Sequence, residues 1–181
     1  MVATVGRVFA AVPLPPEVRL ALEEALADLQ IPGKVVPPEN WHLTLRFLGS
    51  VEEVPYERFL AGLAELDEIP TFPVRLGRLG GFPRNGRASV VWAGVEEGTE
   101  ELIELNAVVE EAAQAAGLDP EERPYRPHLT LARVRPPRDI THLTSVELGL
   151  GWVADRVMVY RSLLGRGGAR YEPLESFTLL R

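Results

Sequence analysis

The chain has no cysteine among its 181 residues, which excludes disulfides, thiolate metal sites and thiol nucleophiles together. Lysine is almost as scarce. Lys34 is the only one, beside 18 arginines; its surroundings, PGKVVPP, are not the lysine-centred motif of ATP-dependent ligases, and no Walker A sequence is present. No apolar run approaches the length of a bilayer helix, and the opening MVATVGRVFAAVPLPPE lacks the basic region and cleavage pattern of a secretory signal. A cytoplasmic protein without membrane contact is expected. Zinc chemistry lacks its usual motifs: HExxH is absent, and the histidine spacing offers no local ligand pair.

Positive charge is short overall, with a formal net charge of −7, but it is not evenly spread. Residues 123–138 (RPYRPHLTLARVRPPR) hold five arginines and no acid, and residues 71–92 (TFPVRLGRLGGFPRNGRASVVW) hold four and no acid. Between them, residues 96–122 carry ten acids and no base. Guanidinium forks match phosphate oxygens in pairs, so two basic islands suit an anionic partner despite the negative total. A general arginine bias of the kind thermophiles show would explain the excess but not its segregation.

Length and composition fit one domain spanning 1–181. VGRVFAAV reads as a strand. PPEVRLALEEALADLQ reads as a helix with proline at its start and an apolar stripe of Val18, Leu22, Leu26 and Leu29, stopped by Pro32-Gly33. A strand over 41–48 and a helix over 55–67 follow. FPVRLGRL and ASVVWAGV read as strands joined by a turn, GGFPRNGR. A third helix runs from Thr99 as N-cap to Gly117, with Glu100 and Glu101 at the positive end of its dipole. A strand over 128–134 and a closing hairpin, WVADRVMVYRSLL and ARYEPLESFTLL around GRGG, complete the chain.

What stands out is a repeat. His42 and His128, two of only three histidines, open identical HLTL tetrapeptides 86 residues apart, each 12 residues after the expected end of a helix. The order helix, connection, HLTL strand occurs twice, which points to two related lobes. Side chains alternate along a strand, so each His and Thr share one face while the leucines turn to the core. By the same alternation Arg46 joins His42 and Thr44, and Arg126 joins His128 and Thr130.

Two opposed faces of this kind suit phosphoester chemistry. A neutral imidazole takes a proton from a nucleophile, and a protonated one delivers a proton to the departing oxygen. Threonine hydroxyls donate to phosphate oxygens, and arginine stabilises charge developing there. The third histidine, His142, lies in HLTS among turn-forming residues and reads as a surface residue.

HLTL twice, together with RVFAAVPLP, PPENWHLTLRFLG, GGFPRNGRASVVWAGV, YRPHLTLARV and VMVYRSLLGRGGARYEPLESFTL, resembles the two-histidine (2H) phosphoesterases. Within them it resembles the RNA 2′,3′-cyclic phosphodiesterases, also called 2′-5′ RNA ligases, of bacteria and archaea. The resemblance covers nearly the whole chain and implies an α+β fold: bilobal, pseudo-symmetric, with two antiparallel sheets, helices packed outside and the site in the cleft between interleaved lobes. It implies hydrolysis of RNA 2′,3′-cyclic phosphate ends, tRNA fragments among them, to 2′-phosphomonoesters, with no metal or nucleotide cofactor and no obligate protein partner. The same site would support reversible, ATP-independent 2′-5′ joining.

The resemblance further implies His42 as proton donor to O3′, His128 as proton acceptor from water, Thr44 and Thr130 on phosphate, and Arg133 as the second motif's arginine. Strict alternation turns Arg133 away from His128 and favours Arg126, so both stay open, and a bulge near Ala132 would decide between them. Phe82 and Tyr125 are candidates to stack on a base, whereas Phe47 reads as core. The rival functions are a 2H phosphodiesterase for a small cyclic phosphate, such as an ADP-ribose derivative, and a non-catalytic RNA-binding module.

Overall fold

Both HLTL copies open strands of 11 residues, and the same order of half-buried and buried side chains runs through the first nine positions of each. Leu43, Leu45, Leu129 and Leu131 are all at most 2% exposed, and they anchor a core cluster of 38 residues shared by both sheets. The apolar half of each motif therefore holds the strand in place while the polar half is left to a cleft.

The computed structural model describes residues 1–181. In chain order its elements are β1 (Thr4–Pro13), α1 (Pro16–Leu26), β2 (Lys34–Val35), β3 (His42–Glu52), α2 (Glu53–Gly62), β4 (Phe72–Arg84), β5 (Arg87–Glu97), α3 (Thr99–Ala115), β6 (His128–Arg138), β7 (Glu147–Ala154), β8 (Arg156–Gly165) and β9 (Gly168–Thr178). Two antiparallel sheets result, a four-stranded one ordered β3-β1-β8-β9 and a five-stranded one ordered β2-β6-β5-β4-β7. The repeat expected from the sequence is β1-α1-β3 and β5-α3-β6, a strand, a helix and an antiparallel neighbour each time. Pro13 pairs with His42 in the first unit and Gly94 with His128 in the second. The helices cross over: α1 lies against β7 of the five-stranded sheet, and α3 lies against β3 of the four-stranded one.

Several boundaries differ from the sequence reading. Helix α1 ends at Leu26 and α3 at Ala115, so 16 and 13 residues separate them from their histidines; the order repeats, but the equal spacing does not. Thr99 is the first helical residue, and Gly98, at φ 93°, takes the N-cap position. The expected turn GGFPRNGR is mostly strand: Phe82 pairs with Val90, Arg84 with Arg87, and only Asn85 and Gly86 connect β4 to β5. The helix expected over 55–67 becomes a 3-10 helix from Leu63 to Glu68. WVADRVMVYRSLL is two strands, because the chain changes sheet at Asp155, whose carbonyl accepts from Leu179 N–H at 2.8 Å. Apolar sequence on both sides of Asp155 hides that change.

Strand β2, unforeseen in the sequence, covers the edge of β6. Lys34 pairs with Arg133, and Val36 N–H donates to Leu131 O at 2.8 Å. Gly33 permits this approach, since at φ 82° a Cβ there would lie 2.3 Å from the Arg133 carbonyl oxygen. Gly33→Ala should lower stability by about 1–3 kcal/mol from its backbone conformation alone. Gly86→Ala, where a Cβ meets nothing within 4 Å, should leave it nearly unchanged. Thermal unfolding of the two variants checks the difference.

Candidate active site

The alternation begun by each HLTL breaks at the same place in both strands. Along β3, Thr44 faces Ala11 of β1 and Arg46 faces Ala10, so Leu45 is an extra residue. Along β6, Thr130 faces Trp92 of β5 and Ala132 faces Val91, so Leu131 is extra. A bulge of this kind moves every later side chain by one position. Arg46 and Ala132 are consequently buried, while Phe47 and Arg133 turn outward, and both of these line the cavity that holds the histidines. The bulged carbonyls find partners outside the ladder: Asn106 Nδ2 donates to Leu45 O at 2.8 Å, and Val36 N–H to Leu131 O. Phe47, read from sequence as core, is 58% exposed, its ring 5.5 Å from that of Phe9.

The two imidazoles are oriented by one device. Nδ1 of His42 lies 2.7 Å from the carbonyl oxygen of Asn40, and Nδ1 of His128 lies 2.6 Å from that of Arg126, in each case two residues back. A carbonyl only accepts, so both Nδ1 atoms carry the proton, and in the neutral ring Nε2 is the unprotonated nitrogen. Thr44 Oγ1 stands 2.8 Å from His42 Nε2 and donates to it while the ring is neutral. Phe9 and Tyr171 pack on His42 with ring centroids 4.9 and 5.3 Å away, and Phe82 meets His128 edge to face at 5.0 Å.

Burial lowers the His42 pKa to about 4, with proximity to His128 adding to the effect and the Asn40 carbonyl opposing it. Burial also lowers His128, helped by the Arg133 guanidinium and opposed by the Arg126 carbonyl. Both rings are therefore neutral near pH 7. Together with Thr44, Thr130, Arg126 and Arg133 they line one cavity of about 750 Å³. Neither Arg126 nor Arg133 forms an ion pair, so both guanidinium groups are available to an anion. No group of three or more His, Asp or Glu side chains is placed to hold a metal ion.

This geometry can hold an anion between two imidazoles. Residues 14–165 match the family model described as the 2′-5′ RNA ligase superfamily. The chain belongs to that superfamily. It is 41% identical to the RNA 2′,3′-cyclic phosphodiesterase of Thermus thermophilus, over 96% of this chain and 90% of the relative. The enzyme of that name from Aeropyrum pernix is 35% identical over 86% and 92%. Among solved structures, Escherichia coli LigT complexed with 3′-AMP superposes with a TM-score of 0.81 at 28% identity, over 97% of this chain and 99% of that one.

Within this member of the superfamily, Arg46 has a different use from the one alternation assigned. Its guanidinium pairs with Glu110 of α3 and donates to Phe47 O at 2.6 Å and to Asp119 O at 2.5 Å, at 8% exposure. Three of its five N–H groups are engaged in this way, and although the side chain still borders the cavity, the bulge turns it inward, toward α3. Burial alone would raise the Glu110 carboxyl, but hydrogen bonds from Arg46, the Glu121 N–H and Gln114 hold it below the usual carboxylate range. This contribution to stability is complete above the ordinary carboxylate pKa and lost as pH falls through the lowered one.

Two other residues act by positioning, a role the sequence did not assign to either. Asn40, buried, donates from Nδ2 to Ala169 O of β9 at 2.8 Å and so fixes the carbonyl that orients His42. Tyr125, a stacking candidate in the sequence, is held instead by its hydroxyl, which donates to Thr44 O at 2.9 Å and ties the approach to β6 onto β3. His142 stays outside the cavity, exposed, with Nε2 3.3 Å from Gln30 O. No helix is long and apolar enough to cross a membrane.

Arg46→Ala should cost about 1–3 kcal/mol, because it removes a buried guanidinium and leaves the partly buried Glu110 carboxylate with only the Glu121 N–H and Gln114 as donors. Arg75→Ala, from a pair whose side chains are 50% and 46% exposed, should cost under about 0.5 kcal/mol. Chemical denaturation of both variants measures the contrast.

Proposed function

We propose that this chain hydrolyses RNA 2′,3′-cyclic phosphate ends to 2′-phosphomonoesters, within one domain of two interleaved lobes, and joins 2′-5′ ends reversibly without ATP. The observation that carries the reading is the pair of Nδ1–H groups donating to carbonyls two residues back, which leaves two Nε2 atoms for one cavity. The exchange of a proton in at one side of a phosphorus and out at the other needs this arrangement. The names of the relatives supply the RNA cyclic phosphate.

His42 is assigned as donor and His128 as acceptor. A cyclic phosphate carries a negative charge into the cavity, which favours the protonated form of the imidazole beside it. On protonation His42 Nε2 changes from acceptor to donor, and the Thr44 hydroxyl is released to donate to a phosphate oxygen. Burial works against the charged ring, so the imidazolium gives its proton to the departing O3′ readily once formed. Arg133 meanwhile disfavours charge on His128, keeping its Nε2 free to take a proton from water. Thr130, Arg126 and Arg133 are assigned to the remaining phosphate oxygens, where charge builds in the transition state.

The direct assay incubates an oligoribonucleotide ending in a 2′,3′-cyclic phosphate with the protein and a chelator. A 2′-phosphomonoester should form. His42→Ala and His128→Ala should each lower kcat at least about 100-fold while RNA still binds. A 3′-phosphate product contradicts the leaving group, no hydrolysis with retained binding favours a binding module, and turnover only of small nucleotides favours the ADP-ribose type of substrate. Activity abolished by chelation contradicts the metal-free scheme.

Since both histidines titrate below their ordinary value, the singly protonated site grows as pH falls toward neutrality and beyond. The bell in kcat/KM should therefore peak below about pH 6.5. A kcat/KM still rising above about pH 8 contradicts the protonation scheme.

A further inference from the structure

A second cavity, of about 680 Å³, adjoins the first and shares Phe82, Arg126 and His128 with it as a common wall. Of the four motif residues His42, Thr44, His128 and Thr130, only His128 faces both. The volume lies within the roughly 300–1,000 Å³ of small-molecule sites, far more than a water molecule requires.

Its surfaces have the chemistry of a nucleoside site. One wall is aromatic: the half-buried Trp92 indole, 5.3 Å from the Phe82 ring and tilted 44° to it, lies over glycines, since a Cβ on Gly80 or Gly94 would sit 2.3 or 3.2 Å from it. Such faces stack bases irrespective of sequence. Glu96, exposed and without an ion-pair partner, crosses Gly77, where a Cβ would be 3.1 Å from Glu96 Cβ. Its carboxylate can accept from the N–H edge of a base. Arg126, on the shared wall, borders both cavities and offers a guanidinium to a phosphate in either. The far rim is closed by the Arg78–Glu147 pair at 2.7 Å.

The side on which this cavity lies matters. In an in-line displacement the nucleophile enters opposite the leaving oxygen. With O3′ beside His42, the nucleophile approaches His128, the one of the two histidines that also lines the second cavity.

We propose that this cavity is the acceptor subsite for joining: it holds the 5′-terminal nucleoside of a second RNA strand and presents its 5′-hydroxyl to His128. This rests on the cyclic phosphodiesterase reading and its donor and acceptor assignment. The 5′-oxygen bonds to phosphorus as the P–O3′ bond breaks; the 5′-hydroxyl proton passes to His128 Nε2, and His42 gives its proton to O3′. The product is a 2′-5′ phosphodiester, formed from the energy of the cyclic phosphate with no other reactant. Without an acceptor, water enters the same position and hydrolysis follows.

The test uses the full chain, a labelled oligoribonucleotide ending in a 2′,3′-cyclic phosphate and a 5′-hydroxyl oligoribonucleotide at saturating concentration, with both products counted. Glu96→Trp, at an exposed position outside the hydrolytic groups, places an indole across the cavity. It should lower 2′-5′-joined product at least about tenfold, a loss of about 1.4 kcal/mol, while hydrolysis without acceptor stays within about twofold. Glu96→Ala should raise the acceptor KM with the same hydrolysis. An unchanged ratio of joined to hydrolysed product in Glu96→Trp overturns the subsite, as does equal loss of both reactions. Wild-type protein that hydrolyses well but joins nothing at saturating acceptor overturns it too, leaving the hydrolase reading intact. Wild-type protein that does not hydrolyse removes both.

Discussion

The site depends on one hydrogen bond made twice, from an imidazole Nδ1–H to the backbone carbonyl two residues before it. The bond fixes tautomer and ring direction together, so Nε2 of each histidine is the nitrogen left unprotonated in the neutral ring. Everything around it serves to keep the two carbonyls still. Asn40 is tied to β9 through its side chain, and the segment containing Arg126 is tied to β3 through the Tyr125 hydroxyl. The leucines on the reverse of each motif lock the strands from below.

Pseudo-symmetry of the backbone does not extend to the environment. The bulges at Leu45 and Leu131 bring Phe47 and Arg133 to equivalent positions, an aromatic ring in one lobe and a cation in the other. His42 sits among Phe9, Tyr160 and Tyr171 and loses solvation, while His128 faces two cavities and feels a guanidinium. Two copies of one peptide thereby acquire different proton affinities. A repeated motif can carry opposite acid and base roles only when its surroundings differ in this way.

The chemistry was more legible in the sequence than the boundaries were. Two copies of HLTL state a chemical face and a core face, and periodicity reads those correctly through Thr44 and Thr130. It fails one step later, because a bulge belongs to strand pairing and leaves no mark in the spacing of apolar residues. That one step sends Arg46 to Glu110 and brings Arg133 into the cavity. Asp155 was missed for a related reason: the sequence is apolar on both sides of it, and only the sheet pairing shows that the buried face shifts phase between Ala154 and Val157 as the chain moves to another sheet. Asn40 was invisible because its work is done by a carbonyl, which every residue possesses.

The central claim concerns where the protons sit, and ¹⁵N NMR of the imidazoles in the free protein reads that directly. Both His42 and His128 should show an unprotonated Nε2 near neutral pH, and His42 should keep it until the pH approaches about 4. An Nε2–H tautomer at either histidine, or a His42 that titrates at the ordinary histidine pKa, would contradict the geometry on which the proposed acid and base assignment stands.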